Sequence, residues 1–171
     1  QLENPNSPVY DQVEPGIFED YMSKTKNYSP LSFLSSRLSQ FTKATRIFTT
    51  RDYTHTNVAA EFHQACDNIP NTLVIIKSGQ YIAGGYTEVA WSSPSRGTYI
   101  GSVSMSAFLF SVNKQTIYPL KDKGKDIKVY KERGPIFGTG DLFVYGDYKE
   151  FGGASYLGNW ESSYDCLGAQ N

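Results

Sequence analysis

The sequence predicts an α+β domain built on antiparallel sheets, with its helices early in the chain and the sheets folded over as a sandwich. Three observations carry this. Aromatic residues make up 15% of the chain, 13 Tyr and 10 Phe among them, and that bias suits pleated, half-buried strands better than a helical bundle. Helical periodicity is confined to residues 31–66. From residue 71 onward, strand-length apolar segments follow one another through short, turn-rich links. At 171 residues the chain forms one domain with a real core, not two.

Residues 1–28 hold Pro5, Pro8, Pro15 and Gly16 among polar residues, with scattered Val9, Tyr10, Ile17, Phe18 and Tyr21. They read as a linker or docking arm. Ser29 caps a first helix and Pro30 suits its first position. Leu31, Leu34, Leu38 and Phe41 share one face of it, and Ser35, Ser36, Ser39 and Gln40 face water. The β-branched run 45–50 reads as a strand, and Arg51-Asp52-Tyr53 starts a loop. Thr56 or Asn57 caps a second helix of roughly three turns, whose buried stripe is Val58, Phe62 and Cys66.

The centre of the chain is the stretch from Asn71 to Trp91. Residues 73–76 are solidly apolar, Ser78-Gly79 turns the chain, and 81–91 returns as a second strand. So apolar a hairpin needs a sheet and a covering layer. Gly84-Gly85 within it marks a bulge or kink, or room for a neighbouring ring. A small-residue loop, 92–104, leads to a strand at 107–112, a turn at Asn113-Lys114-Gln115 and a return strand at 116–120. Residues 127–130 alternate as a half-exposed strand does. A glycine-rich loop at 134–140 precedes a last strand at 141–145, and beyond Gly146 no periodicity or repeat is visible.

Composition excludes several classes. A formal charge of −1 provides no field to draw nucleic acid or an anionic membrane. No window approaches the roughly 18 consecutive apolar residues of a membrane span. Cys66 and Cys166 stand far apart in sequence, unlike a disulfide-stapled secreted domain, so a reducing, intracellular compartment is expected. The chain opens at Gln1 without a methionine or apolar leader, and reads as a piece of a longer polypeptide or one lacking its start.

Candidate chemistry is sparse. His63 and Cys66 lie three apart on the second helix, but the only other histidine is His55 and no CxxC occurs. Zinc needs four ligands, so a packed Cys beside a surface His is the plainer reading. Cys66 as a reactive thiol needs a depressed pKa, whereas a helix C-terminus and the adjacent Asp67 oppose a thiolate. The glycines at 134–140 are followed by a strand-like segment and not by the helix that phosphate loops need. Lys121, Lys123, Lys125, Lys128 and Lys131, diluted by Asp122 and Asp126, read as a solvated hairpin end. Glu88, Glu132 and Asp141 are conceivable acid/base groups with nothing to set their separation, and no serine sits in a GxSxG elbow. No metal and no cofactor is expected.

Several segments taken together, in order, resemble the TLDc domain, the TBC/LysM-associated domain of the oxidation-resistance family. They are TTRDYTHTNVAAEFHQACDN, TLVIIKSGQYIAGGYTEVAW, AFLFSV and GPIFGTGDLFV. The matching positions are Arg51, Asp52, Phe62, His63, Cys66, Asp67, Gly84, Gly85, Tyr86, Trp91, residues 107–111, Gly134, Pro135, Phe137, Gly138, Gly140, Asp141 and Leu142. The resemblance runs over about 29–165 and implies a β-sandwich flanked by helices, with 29–171 as the domain. It implies no catalytic residues. Its functional implication is a non-enzymatic adaptor or regulator linked to oxidative-stress protection, docking on a large assembly such as the vacuolar proton-pumping ATPase. A structural component of a larger complex, for example cytoskeletal or ciliary, and a thiol antioxidant using Cys66 are the alternatives. One departure stands out: the family's closing strand, with its Glu-Val-aromatic signature, is not found before Asn171. A missing last strand would leave an open edge or an uncovered apolar groove, so either the true C-terminus lies beyond Asn171 or a partner fills the gap by strand addition.

Overall fold

The computed structural model describes residues 2–3, 31–41, 43–50, 57–144 and 162–165. Strands β1 (Leu2–Glu3) and β2 (Lys43–Ala44) pair antiparallel as a small ribbon. A 3₁₀ turn, Ser32–Leu34, runs into the one-turn helix α1, Ser35–Leu38. This is shorter than the helix expected over 31–41, because serines offer the backbone competing hydrogen bonds. Leu31, Leu34, Leu38 and Phe41 nevertheless share one apolar cluster, as their spacing required. The proposed cap residues Ser29 and Pro30 lie outside the described residues, as does most of the arm at 1–28. Helix α2, Val58–Cys66, is capped by Asn57, whose Oδ1 accepts from the Ala60 N–H at 3.0 Å.

Two four-stranded antiparallel sheets follow, with ten strands in all among the described residues. The first holds β3 (Thr72–Ser78), β4 (Tyr81–Thr87), β6 (Phe108–Ser111) and β7 (Thr116–Pro119), in the order β3-β4-β6-β7. The second holds β5 (Thr98–Ile100), β8 (Ile127–Val129), β9 (Ile136–Phe137) and β10 (Leu142–Phe143), in the order β10-β9-β8-β5. The connection from β4 to β6 thus contributes its middle strand to the opposite sheet.

The first sheet is covered on both faces, which explains its solid apolar runs. Val74, Ile76, Leu109 and Tyr118 point to the main core, shared with Phe62 and Cys66 of α2 and with Ile127, Val129, Phe137 and Leu142 of the second sheet. Leu73, Ile75, Tyr86, Phe108, Phe110 and Ile117 point the other way, against Leu31, Leu34 and Phe41. A strand buried on one face alternates, whereas one buried on both does not.

Four expectations are corrected. Residues 45–50 form no strand: Ile47 and Phe48 reach the core from irregular chain, with Phe48 edge-on to Phe62 at 5.8 Å. β propensity needs a partner edge, and this run has no strand partner among the described residues. The second strand of the central hairpin ends at Thr87, and Trp91 makes only an isolated parallel bridge to Asp67. The loops at 92–104 and 134–140 each contain a short strand, β5 and β9, created by pairing with β8. His63, expected at the surface beside a packed cysteine, is buried at 7% exposure.

Candidate functional site

Of the family-motif positions that the structure describes, Phe62, Cys66, Trp91 and Phe137 meet at the seam where α2 packs on the two sheets, whereas Tyr86 lies on the other face of the first sheet and Gly134 to Asp141 form the β9–β10 connection. Trp91 is at the centre of the seam. Its indole N–H donates to Thr72 Oγ1 at 2.8 Å, and its ring stands edge-on to Phe62 at 5.4 Å and Phe137 at 5.6 Å. Each such ring pair contributes about 0.5–1.5 kcal/mol beyond area burial. The turn after α2 is tied to Trp91 by the Asn68 N–H, which donates to the Trp91 carbonyl at 2.9 Å.

His63 ties α2 to the chain after β8. Its Nε2 lies 3.0 Å from the carbonyls of both Tyr130 and Arg133, and its Nδ1 lies 2.7 Å from Asp67 Oδ1. Both ring nitrogens are therefore engaged, and neither points to open space as a metal ligand would. Among the described residues no group of three or more His, Cys, Asp or Glu side chains gathers. His55, Arg51 and Asp52 lie outside the described residues.

Cys66 is a free thiol at 4% exposure. Burial pushes its pKa up to about 12, and the neighbouring Asp67 charge adds to the rise. A nucleophilic or redox thiol needs the opposite shift and access to solvent.

Gly84 and Gly85 leave room for rings, one on each side of the sheet. A Cβ at Gly84 would meet the Phe110 ring at 2.5 Å, and one at Gly85 would meet the Phe137 ring and Leu109 at 2.8 Å. Successive residues of a strand point to opposite faces, so two adjacent glycines open both layers at one level. The register from Thr72↔Thr87 to Ser78↔Tyr81 is unbroken, so no bulge is involved. Tyr86, the next residue, stacks on Phe108 at 5.4 Å and donates its hydroxyl to Asn71 Oδ1 at 3.1 Å.

The Gly134 to Asp141 motif builds a tight β9–β10 connection. Pro135 accepts from the Val144 N–H at 3.0 Å, Gly134 lies against the Val144 carbonyl, and Gly140 has φ +112°. Gly138, at φ +60°, leaves space that the Asp141 carboxylate fills. Buried Asp141 accepts at Oδ2 from the N–H groups of Thr139 (3.2 Å) and Ser163 (3.1 Å), and at Oδ1 from the Ser162 hydroxyl. It thus grips the returning segment 162–165. Tyr164 of that segment is fully buried; its hydroxyl donates to the Asp126 carbonyl at 2.5 Å, and burial raises its pKa well above the ordinary value.

A second buried carboxyl was not recognised in the sequence. Asp126, with no exposure, accepts at Oδ2 from the Ser102 N–H (3.2 Å) and hydroxyl (2.9 Å), while Oδ1 has no partner. Burial raises its pKa; Ser102 opposes the rise and the charge on Glu88 supports it. Burial also pushes Glu88 upward, but hydroxyls of the Ser102–Ser106 loop outweigh it and hold that carboxyl below its usual range. Its Oε1 accepts from the Ser104 hydroxyl. The three acids weighed as acid/base groups have separate partners: Glu88 has Ser104, Glu132 accepts from the Tyr130 hydroxyl, and Asp141 holds the 162–165 segment. In the sequence Asp126 reads only as a diluent of lysines, and nothing local marks it as buried.

The family model described as the TLDc domain matches residues 18–164. No curated protein and no solved structure matches the chain.

Proposed function

The chain belongs to the TLDc domain family, and from that premise we propose that it is a non-enzymatic protein-interaction module. In this reading it acts as an adaptor or regulator that docks on a large assembly and serves oxidative-stress protection. The vacuolar proton-pumping ATPase is the assembly that the family resemblance suggests. The observation that carries the reading is the use made of the motif side chains. Phe62, His63, Asp67, Trp91, Phe137 and Asp141 are each engaged in ring contacts, hydrogen bonds or bridges that join α2, the two sheets and the 162–165 segment. Residues so occupied maintain a shape, and a maintained shape serves recognition.

The thiol alternative is disfavoured by the burial of Cys66 and the raised pKa of its thiol. An intracellular, reducing location accords with a free buried cysteine. No helix among the described residues is long and apolar enough to cross a membrane.

The test is affinity capture of the tagged chain from native extract at low salt, with the retained proteins identified by mass spectrometry. Stable retention of one defined assembly is expected, with subunits of the proton pump sought first. A chain that retains no partner under these conditions is not a docking module.

A further inference from the structure

Among the described residues the two sheets have four edges, and three of them are guarded. β10 and β5 offer only two and three residues. β7 ends in Pro119, and segment 162–165 covers that end through the Leu120↔Tyr164 bridge and the Lys121 N–H, which donates to the Ser163 carbonyl at 2.9 Å. β3 is different. It runs for seven residues without a proline, and its register with β4 is unbroken. Natural sheets blunt an edge with short strands, prolines, covering segments or a lysine. Of these devices β3 carries only Lys77.

The main-chain groups of an antiparallel strand turn alternately to its two sides. The Val112 N–H donates to the Ile82 carbonyl at 2.9 Å, so Ile82, Gly84 and Tyr86 serve β6, while Ala83, Gly85 and Thr87 serve β3. Their partners Ile76, Val74 and Thr72 therefore turn inward, and the Val74 carbonyl does lie against Gly84. Leu73, Ile75 and Lys77 are left to turn their N–H and carbonyl groups outward. Among the described residues none of these groups has a hydrogen-bond partner. Leu73 to Ile76 are half-buried and Lys77 and Ser78 exposed, so the edge reaches solvent. Val74 and Ile76 pack on the main core, and Leu73 and Ile75 on the second apolar cluster. An added strand would extend both layers.

We propose that the β3 edge docks an extended segment of a partner protein as an added antiparallel strand, with β-branched residues beside Leu73 to Ile76 and a carboxylate opposite Lys77. The inference rests on the interaction-module reading and names its surface. In strand addition the main chain supplies affinity and side chains at alternate positions supply selection. Lys77 decides the occupant. It has no ion pair among the described residues. Outward-turned residues pair with outward-turned residues, so a second copy would set Lys77 against Leu73, Ile75 or another Lys77, never a carboxylate. A phosphate backbone or a bilayer carries no row of alternating donors and acceptors to match this edge.

The probe is a short fluorescein-labelled peptide that alternates valine with threonine behind an N-terminal glutamate, followed by anisotropy. A counterpart with lysine in place of the glutamate is run alongside. Hydrogen exchange read by NMR needs no variant. The amides of Leu73, Ile75 and Lys77 are expected to exchange fast in the free chain and slowly once the glutamate peptide is added, and those of Val74 and Ile76 to be slow throughout. Lys77→Glu is expected to weaken the glutamate peptide about fivefold and to favour the lysine one, while Lys114→Glu in the β6–β7 turn changes neither. Lys77→Pro removes an outward donor and no bond to β4. It is expected to abolish binding, with slow exchange at Val74 and Ile76 reporting that the fold is kept. Sedimentation of the chain alone is expected to show a monomer. Outward amides already protected in the free chain, no peptide binding, equal binding of both peptides, equal loss in Lys114→Glu, or a dimer that protects these amides would each overturn the proposal. Partner capture separates the two readings. If folded Lys77→Pro still retains the wild-type partner, this edge is wrong and the module stands. If the peptide binds as expected but no partner is ever captured, the module reading alone fails.

Discussion

At Asp126 a carboxyl with no exposure keeps one oxygen without a partner while Ser102 supplies both donors to the other. Its pKa in the folded chain lies above the unfolded value, chiefly through burial. The folded state therefore binds this proton more tightly than the unfolded state, and the group's contribution to stability is fullest at low pH. That contribution is lost as pH rises past the unfolded carboxyl value of about 3.9. Asp126→Asn keeps an oxygen for Ser102 and removes the titration. Urea denaturation at a series of pH values is expected to show wild type losing stability relative to Asp126→Asn as pH rises from about 4. Glu88, whose depressed pKa acts in the opposite sense, is coupled to Asp126 through its charge, so the same comparison in a Glu88→Gln background isolates Asp126. A difference independent of pH would mean that the carboxyl titrates alike folded and unfolded. No pattern in the sequence distinguishes Asp126 from Asp122, which stays at the surface with Lys125, because burial here is decided by where Ser102 comes to lie.

At the scale of elements, the central hairpin and the short helix α2 were legible because their signals are local. Asn57 caps α2, and Val58, Phe62 and Cys66 recur on one buried face. The apolar run of β3 and a two-residue turn at Gly79-Gln80, one residue beyond the Ser78-Gly79 expected from the sequence, set the hairpin register. Strands β5 and β9 were not legible. Each has only two or three residues and owes its extended form to pairing with β8. The Gly84-Gly85 pair is a sharp test of how the layers fit. Gly85→Ala is expected to cost about 1–3 kcal/mol in urea denaturation, as overpacking does. Phe137→Leu in the same chain is expected to recover part of the loss, because the new methyl meets the Phe137 ring. Simple additivity of the two changes would show that this contact does not limit the packing.

For the whole molecule, the main core joins both sheets and α2, and segment 162–165 joins them again from the far end of the described chain. The Ser163 carbonyl accepts from the N–H groups of Lys121 and Asp122, and the Asp165 N–H donates to the Pro119 carbonyl. Contacts so distant in sequence tie the exposure of any core group to opening of the fold as a unit. Cys66 reports this directly. In a Cys166→Ser background, its reaction with a thiol reagent is expected to be negligible in the native state and to appear with global unfolding in urea. Cys66→Ser is expected to preserve any peroxide protection. Fast labelling without urea, together with loss of protection in Cys66→Ser, would revive the thiol reading.

By itself the sequence determined the class of fold, the central hairpin, α2 with its cap, and the family, because these depend on residue type at short, fixed spacing. Tertiary structure alone decided that His63 is a buried clip, that Asp126 lies inside, that β5 crosses to the second sheet, and that Leu73, Ile75 and Lys77 turn their main-chain groups away from β4. The physical reason is the same in each case. Burial, pairing and charge neighbours are properties of residues brought together across long stretches of chain, and no local window contains both members of such a pair.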